Sequence, residues 1–521
     1  MDLSASRSDK VRENPMVEHV DVLVIGAGLS GIGAACHLRR ECPERTLAIL
    51  ESRDAVGGTW DLFRYPGVRS DSDMHTLGYR MRPWTDPKAI ADGQSILSYI
   101  RETAREYGLQ EAIRFRHRVV SADWDEEQAR WTVHVERGGD AGAAEAVTMT
   151  CSFLHVCAGY YRYDEGHRPR FPDVERFEGV IAHPQHWPEE LDFTGRRVVV
   201  IGSGATAVTL VPAMAEKAAH VTMLQRSPSY VMSLPTRDAI AGALRRVLPE
   251  RTALAAVRWK NAMLALGFYQ FSRKRPEKVK AMLRKGAARQ LPAGYDVETH
   301  FVPDYNPWDQ RVCYVPDGDL FQAISSGRAS VVTDHIESFT PGGIRLRSGE
   351  ELPADVVVTA TGLNMLALGG IRLTVAGRPV DPGATVAYKG MMLSGVPNLA
   401  WTLGYTNSSW TLKTDLVSQY VCRLLNHMAA RGHTVVEPLS PPAEEPVLPI
   451  MDLKSGYVLR GADAMPKRGL RAPWNLEQNY RQDVRLLRRG PVDDGVRFAS
   501  AAAAPSGASE TSAEAVPEER P

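Results

Sequence analysis

Two stretches of this chain repeat one pattern: an apolar run of strand length, a glycine-rich turn, and then apolar positions at helical spacing. Val20-Asp21-Val22-Leu23-Val24-Ile25 leads directly into Gly26-x-Gly28-x-x-Gly31, and the helical period continues through Leu38. Arg197-Val198-Val199-Val200-Ile201 leads into Gly202-x-Gly204-x-x-Ala207, followed by an apolar helix to about Ala215. Each unit has a second strand. Thr46 to Leu50 ends in Glu51, twenty residues past Gly31, where an acid can bind ribose hydroxyls. His220 to Leu224 ends instead in Gln225-Arg226-Ser227. A carboxylate there would repel a 2′-phosphate and Arg226 can pair with one, so the second site is expected to select NADP(H), unless Arg226 is an ordinary surface residue.

The pattern between and after these units completes the layout. Thr236 to Leu291 reads as mainly helical, interrupted by Pro249 and Pro276. Asp355-Val356-Val357-Val358-Thr359-Ala360-Thr361-Gly362 reads as a buried strand ending in a turn, at the return to the first unit. Ala400 to Gly404 and a helix from about Thr411 to Met428 then complete that unit. The expected class is α/β, two Rossmann-like dinucleotide-binding domains with a helical insertion. The expected boundaries are a flexible N-terminus over 1–19, a first domain over 20–155 and 351–498, and a second domain over 156–350. The insertion falls at about 236–291, and 499–521 is small, polar and expected to be disordered.

Composition narrows the classes. The 62 basic and 62 acidic residues of the 521 cancel, so no overall field favours nucleic acid. The imbalance is local: 14 Lys and Arg face three acids (Asp238, Glu250, Glu277) between Arg237 and Arg289. This reads as a solvated face over the active site, with peripheral membrane association or self-association as the alternative. The most membrane-like run, Val198 to Ala215, is broken by Gly202, Ser203, Gly204 and Thr206, so no transmembrane segment is expected. The first twenty residues lack an apolar signal core, and a cytoplasmic protein is expected. The six cysteines form no C-x-x-C pair and no zinc spacing, so no metal site is expected. Their spacing also speaks against dithiol redox chemistry.

Two further motifs carry chemistry. Gly57-Gly58-Thr59-Trp60-Asp61-Leu62 continues to Tyr65-Pro66-Gly67 and Asp71; paired glycines let a backbone approach a flat ring that Trp60 and Tyr65 can wall. Between the two glycine turns stands F-x-G-x-x-x-H-x-x-x-W-P, formed by Phe177, Gly179, His183, Trp187 and Pro188. His183 and Trp187 read as couplers between domains, since the intervening Pro184 favours a linker over a helix.

With these motifs the chain resembles the Baeyer-Villiger monooxygenases of the class B flavoprotein monooxygenase family, from about Val20 to Phe498. GGTWDLFRYPGVRSDSDMHTLGY, HPQHWPE, GSGATAVTLVPA, YNPWDQR, TATGLN and AYKGMMLSG carry the likeness. Related N-hydroxylating and flavin-containing monooxygenases usually have Tyr in place of Trp187. The resemblance implies FAD and NADPH as cofactors. It assigns Gly26, Gly28, Ser30, Gly31, Glu51, Gly58, Thr59, Trp60, Asp61, Leu62, Arg69, Ser70, Asp71 and Val119 to the first nucleotide. Gly202, Ser203, Gly204, Ala205, Thr206, Ala207, Val208, Gln225 and Arg226 fall to the second. It places the catalytic arginine at Arg311, in Tyr305-Asn306-Pro307-Trp308-Asp309-Gln310-Arg311, with Asp71 in support. The implied reaction takes O2 and an apolar ketone to an ester or lactone through a C4a-peroxyflavin, whose charge a fixed guanidinium would balance. S-oxygenation of a sulfur-containing small molecule is implied as well. The rivals are an N/S-oxygenating flavin-containing monooxygenase and a non-catalytic NADP(H)-binding flavoprotein.

Overall fold

The computed structural model describes residues 17–138 and 144–500. Glu18–Ile25 is the hub of a nine-stranded sheet, pairing in parallel with Leu47–Leu50 on one side and Glu145–Val156 on the other. Alternate hub residues enter opposite cores: Val22 and Val24 pack on the side of the helix Leu29–Glu41, Leu23 and Ile25 on the other. Both faces are therefore covered, which is why the run reads as nearly continuous apolar sequence.

Glu145–Val156 serves several partners along its length. Its first half pairs antiparallel with Arg130–Arg137, and its end pairs in parallel with Leu399–Trp401, bringing the C-terminal part of the chain back to this sheet. The helix Trp410–Arg431 follows and packs against Leu29–Glu41. The second sheet is parallel throughout, in the order Ala329–Thr333, His220–Gln225, Arg197–Ile201, Val356–Thr359, Val180–Ala182.

Three boundaries differ from the sequence expectation. Val356–Thr359 belongs to the second sheet, with Val198–Ile201 on one side and Val180–Ala182 on the other, so the chain returns to the first sheet after Thr359 and not at 351. An apolar run identifies a buried strand without saying which sheet takes it up. Glu18 and His19, expected within a flexible 1–19, pair with Met149 and Thr150, and Ala499, expected within the 499–521 tail, pairs with Val435. The remainder of those expectations, 1–16 and 501–521, lies outside the described residues.

The insertion consists of Ala239–Val247, Glu250–Lys274 and Pro276–Ala288. Pro276 opens the third helix, where its missing N–H costs nothing. The middle helix is pinned to the first unit by Arg258, which donates to the carbonyls of His75 and Thr76 at 3.0 Å and to Asp415 Oδ2 at 2.9 Å. The apolar residues of the middle helix are divided: Leu254 and Val257 are buried, Phe268 packs near Trp308, and Leu264 is 62% exposed. The helix turns its N-terminal apolar residues inward because Arg258 docks that half against the first unit. Among the described residues no helix is long and apolar enough to cross a membrane.

Removing Arg258 leaves the buried Asp415 carboxylate with His37 as its remaining cationic neighbour and strips the His75 and Thr76 carbonyls of their donor. Arg258→Ala is expected to cost about 3 to 5 kcal/mol, read as a lower denaturation midpoint; a loss under about 1 kcal/mol would show that the insertion is not held this way.

Asp415 also faces His37, with Nε2 3.5 Å from Oδ1, and Glu41 reaches Nδ1 at 2.9 Å. Burial alone would depress this imidazole, but the Asp415 and Glu41 carboxylates beside it outweigh that and hold its pKa at about 9 against 6.5. A raised folded-state pKa means the stabilisation is complete below about 6.5 and is lost as pH climbs through about 9. Stability is thus expected to decline over that window in the native chain. His37→Gln should flatten the slope, as denaturation at a series of pH values would show.

Candidate active site

The first glycine turn is built by backbone contacts that exclude side chains. A Cβ on Gly31 would lie 1.8 Å from the Gly26 carbonyl oxygen, and one on Gly58 would lie 3.0 Å from Gly28 Cα. Gly58 has φ +57°, in the left-handed region that glycine tolerates. Gly57 N–H donates to Ala27 O at 3.1 Å, so the turn and the Gly57-Gly58 loop lie backbone against backbone. Glu51 is buried beside them. Its two carboxylate oxygens accept from the N–H groups of Ala27 (2.7 Å) and Arg53 (2.9 Å), leaving lone pairs for ligand hydroxyls. Val119 sits on the neighbouring strand His117–Asp125, its side chain in the core, and Ser30 Oγ accepts from Trp410 Nε1 at 2.8 Å.

The loop after Gly58 is a seam between the two units. Thr59 Oγ1 meets Tyr163 OH at 3.0 Å, while Trp60 and Leu62 are half-buried. Asp61 is buried and held by Arg53 (2.6 Å) and Arg101 (3.0 Å), so its carboxylate shapes the loop. Tyr65 lies in the core of the second unit, and a Cβ on Gly67 would stand 2.6 Å from Ala213 Cβ of the second glycine-turn helix. Arg69 pairs with Asp319, on a helix of the second unit, and Ser70 is tied through its N–H to Ala91 O at 2.9 Å. Sequence reasoning assigned Asp61 and Arg69 to the nucleotide. Here their charged ends are engaged by protein.

In the second turn, Gly202 has φ +137° and a Cβ there would lie 2.4 Å from Ala360 O. Gly204 has no atom near where its Cβ would stand, and it precedes the helix Ala205–Met214, which has no side-chain cap and no acid in its first turn. Free N–H groups at that end suit a phosphate. Ala207 and Val208 are buried and Ala205 and Thr206 half-buried. Ser203 Oγ is tied to Ser227 O at 3.0 Å. Gln225, also expected at the nucleotide, is buried, its amide donating to His300 O and Thr333 Oγ1 at 2.9 Å each. Arg226 beside it is exposed and makes no hydrogen bond or ion pair among the described residues.

Arg311 and Asp71 come together across the seam, Nη1 to Oδ2 at 2.8 Å. The Arg311 side chain is 33% exposed and that of Asp71 43%. The carboxylate raises the guanidinium above its usual range, with Tyr160, Tyr457 and Tyr161 also within electrostatic reach. The preceding motif residues deliver Arg311: Trp308 is buried at φ +71°, near Tyr269, and Asp309 binds Arg273 (2.7 Å) and Lys454 (3.3 Å). A row of rings flanks the pair, Trp410 stacked on Tyr160 at 5.2 Å and Tyr160 against Tyr161 at 4.2 Å. Burial raises the pKa of both tyrosines, which remain neutral.

The linker between the two glycine turns starts as a strand of the second sheet. Phe177 packs edge-on to Phe339 at 5.9 Å, and a Cβ on Gly179 would lie 2.5 Å from Asp355 O. His183 is buried, its Nδ1 accepting from Gln185 N–H at 3.2 Å; burial, then Arg168, depresses its pKa to about 4. Gln185 donates to the carbonyls of Arg162 (2.7 Å) and Tyr163 (2.9 Å), which links the linker to Thr59. Trp187 is half-buried against the second-unit core, and Pro188 is exposed. Among the described residues no hydrogen bond or ion pair joins this linker to Arg311 or Asp71.

Residues 19–241 match the flavin-binding monooxygenase-like family. The chain is 57% identical over 486 residues, 93% of its length and 98% of the relative's, to the FAD-containing monooxygenase EthA of Mycobacterium tuberculosis. It belongs to the flavin-binding monooxygenase family.

This monooxygenase is also 52% identical over 94% of its length, and 99% of the relative's, to the putative FAD-containing monooxygenase MymA of the same organism. Its fold is that of an oxidized steroid monooxygenase bound to NADP (TM-score 0.72, 22% identity, 92% of this chain and 100% of that one). It is also that of an open cyclohexanone monooxygenase (0.71, 20%, 93% and 100%). Several residues that shape the site of this flavin monooxygenase escaped sequence reasoning. Tyr160, Tyr161 and Tyr163 stand in a visible Tyr-Tyr-x-Tyr cluster directly after a strand, and that clustering was the available signal. Asp319 and Tyr457 carry no local pattern, because each acts through a partner distant in sequence, whereas Gln185 stands between His183 and Trp187, where its place in that motif was the available signal.

Proposed function

We propose that this flavin monooxygenase is an FAD- and NADPH-dependent Baeyer-Villiger enzyme. It inserts one oxygen atom of O2 beside the carbonyl of an apolar ketone, giving an ester or lactone, and oxygenates thioethers or thioamides at the same site. The observation that carries the reading is the Arg311–Asp71 pair, held open to solvent where the two Rossmann units meet.

The residues present suit both cofactors. The closely packed backbone of Gly28 and Gly58, with buried Glu51 alongside, fits the pyrophosphate and ribose of FAD. The open Gly204 turn and exposed Arg226 fit NADPH. Bound flavin, once reduced by NADPH, supplies activation of O2; one oxygen goes to the substrate and the other leaves as water. The chain's own residues do the rest. Arg311 holds a permanent positive charge where negative charge develops, Asp71 fixes the guanidinium plane, and the Trp410–Tyr160–Tyr161 row limits water. His183, neutral at ordinary pH and remote from Arg311 in its contacts, couples the units and moves no proton.

The test is product identification after incubating the FAD-loaded enzyme with NADPH, O2 and a panel of linear, cyclic and aryl ketones together with a thioether. Esters or lactones carrying one atom from labelled O2 are expected. Sulfoxide without any ester would convert the reading to an N/S-oxygenating enzyme. An absence of NADPH-dependent oxygen consumption would leave only a nucleotide-binding role.

A further inference from the structure

The helix Ala239–Val247 turns part of its apolar stripe outward, with Leu244 half-buried. A surface helix normally turns its apolar stripe to the core, yet only Ala241 of this one is buried, and Ile240 (54%) and Val247 (75%) stand exposed with Ala243 between them on one face. Leu248 extends the row past the helix end, and on the next helix Leu264 and Phe271, two turns apart on one face, are also exposed. Apolar side chains are therefore presented outward over the insertion, where burial would otherwise be favourable.

The charge around them has one sign. All three acids of the insertion are already neutralised within it: Asp238 by Lys260 (2.6 Å), Glu250 by Arg245 (3.2 Å) and Glu277 by Lys280 (2.9 Å). Arg237, Arg246, Arg251, Lys274, Arg275 and Lys278 are exposed and have no ion pair among the described residues. The chain as a whole has no net charge, so this patch is a local field and not a reflection of composition.

We propose that the insertion docks this protein onto an anionic lipid surface. The Ile240–Ala243–Val247 row enters the interface between headgroups and acyl chains, and the unpaired arginines and lysines meet lipid phosphates. Charge complementarity selects this occupant over a second copy of the chain, since two such patches face to face would bring cations against cations. The helix is too short to span a bilayer, so the attachment is interfacial and reversible. Arg258 ties the middle helix to the first unit, and the insertion therefore carries the whole enzyme to the surface.

The experiment is co-sedimentation of the full-length, FAD-loaded enzyme with phosphatidylcholine vesicles, with and without phosphatidylglycerol. Binding to the anionic vesicles is expected, weakening with added salt, and little to the neutral ones. The Ile240→Asp/Val247→Asp variant and the Arg246→Glu/Arg251→Glu variant should each bind at least about tenfold more weakly. Their flavin content and NADPH consumption should not change, because none of the four side chains belongs to the active site. Failure of the native protein to prefer anionic vesicles, or unchanged binding by either variant, would overturn the proposal. So would light scattering that finds a dimer dispersed by Ile240→Asp/Val247→Asp without any vesicle binding; a second copy would then cover the face.

Discussion

Arg311→Ala is expected to retain reduction by NADPH while its oxygenated product falls about 10²- to 10³-fold, the usual cost of removing one preorganised electrostatic group. The two half-reactions place different demands on the site. Hydride transfer needs the nicotinamide over the flavin, whereas oxygen transfer needs a positive charge held beside developing negative charge. In the structure that charge is fixed by one carboxylate, Asp71 at 2.8 Å, and by the Trp308-Asp309 anchor behind it. Reducing equivalents in the variant should appear as hydrogen peroxide. Asp71→Ala should show a milder form of the same defect, since it orients the guanidinium without supplying charge. Stopped-flow reduction and product yield on the same folded, FAD-loaded protein decide the matter: near-native ester formation by Arg311→Ala would remove Arg311 from the chemistry.

The second large effect concerns the nicotinamide cofactor. Arg226 is exposed and unpartnered at the end of His220–Gln225, the position from which it can reach a 2′-phosphate. A charge-assisted pair contributes roughly 1.5 to 3 kcal/mol, or about ten- to a hundredfold in affinity. Arg226→Ala is therefore expected to raise the Michaelis constant for NADPH by that factor and leave NADH nearly unaffected. Equal use of both cofactors by the native enzyme would show that Arg226 is an ordinary surface residue. The neighbouring Gln225 should not behave the same way, because its amide is spent on His300 and Thr333.

Gln225 and Asp61 mark where reading a site from its motifs stops. Gln225 ends the strand His220–Gln225 and Asp61 lies in the loop after Gly58, and both are buried and bound to protein. A motif states which residues lie near a ligand, but the direction each side chain takes depends on partners elsewhere in the chain. Asp61 is held by Arg53 and Arg101, and Arg69 by Asp319 of the other unit. Arg311 and Asp71 were nameable from the sequence only through resemblance. Each stands in a local motif, but no local window pairs them, since they are 240 residues apart and meet only because the loop after Gly58 lies in the seam between the units.

By itself, the sequence determined the local elements: the two strand-turn-helix units, the glycines at Gly26, Gly31, Gly58 and Gly202, and the helices broken at Pro249 and Pro276. Periodicity, φ preference and the missing proline N–H act between near neighbours and leave their mark in any short window. Only the tertiary structure decided which sheet received Val356–Thr359, which half of Glu250–Lys274 turned inward, and which charges were consumed by protein before a ligand could use them. These outcomes depend on contacts between residues far apart in the chain, whose stability is shared with partners that no local window contains.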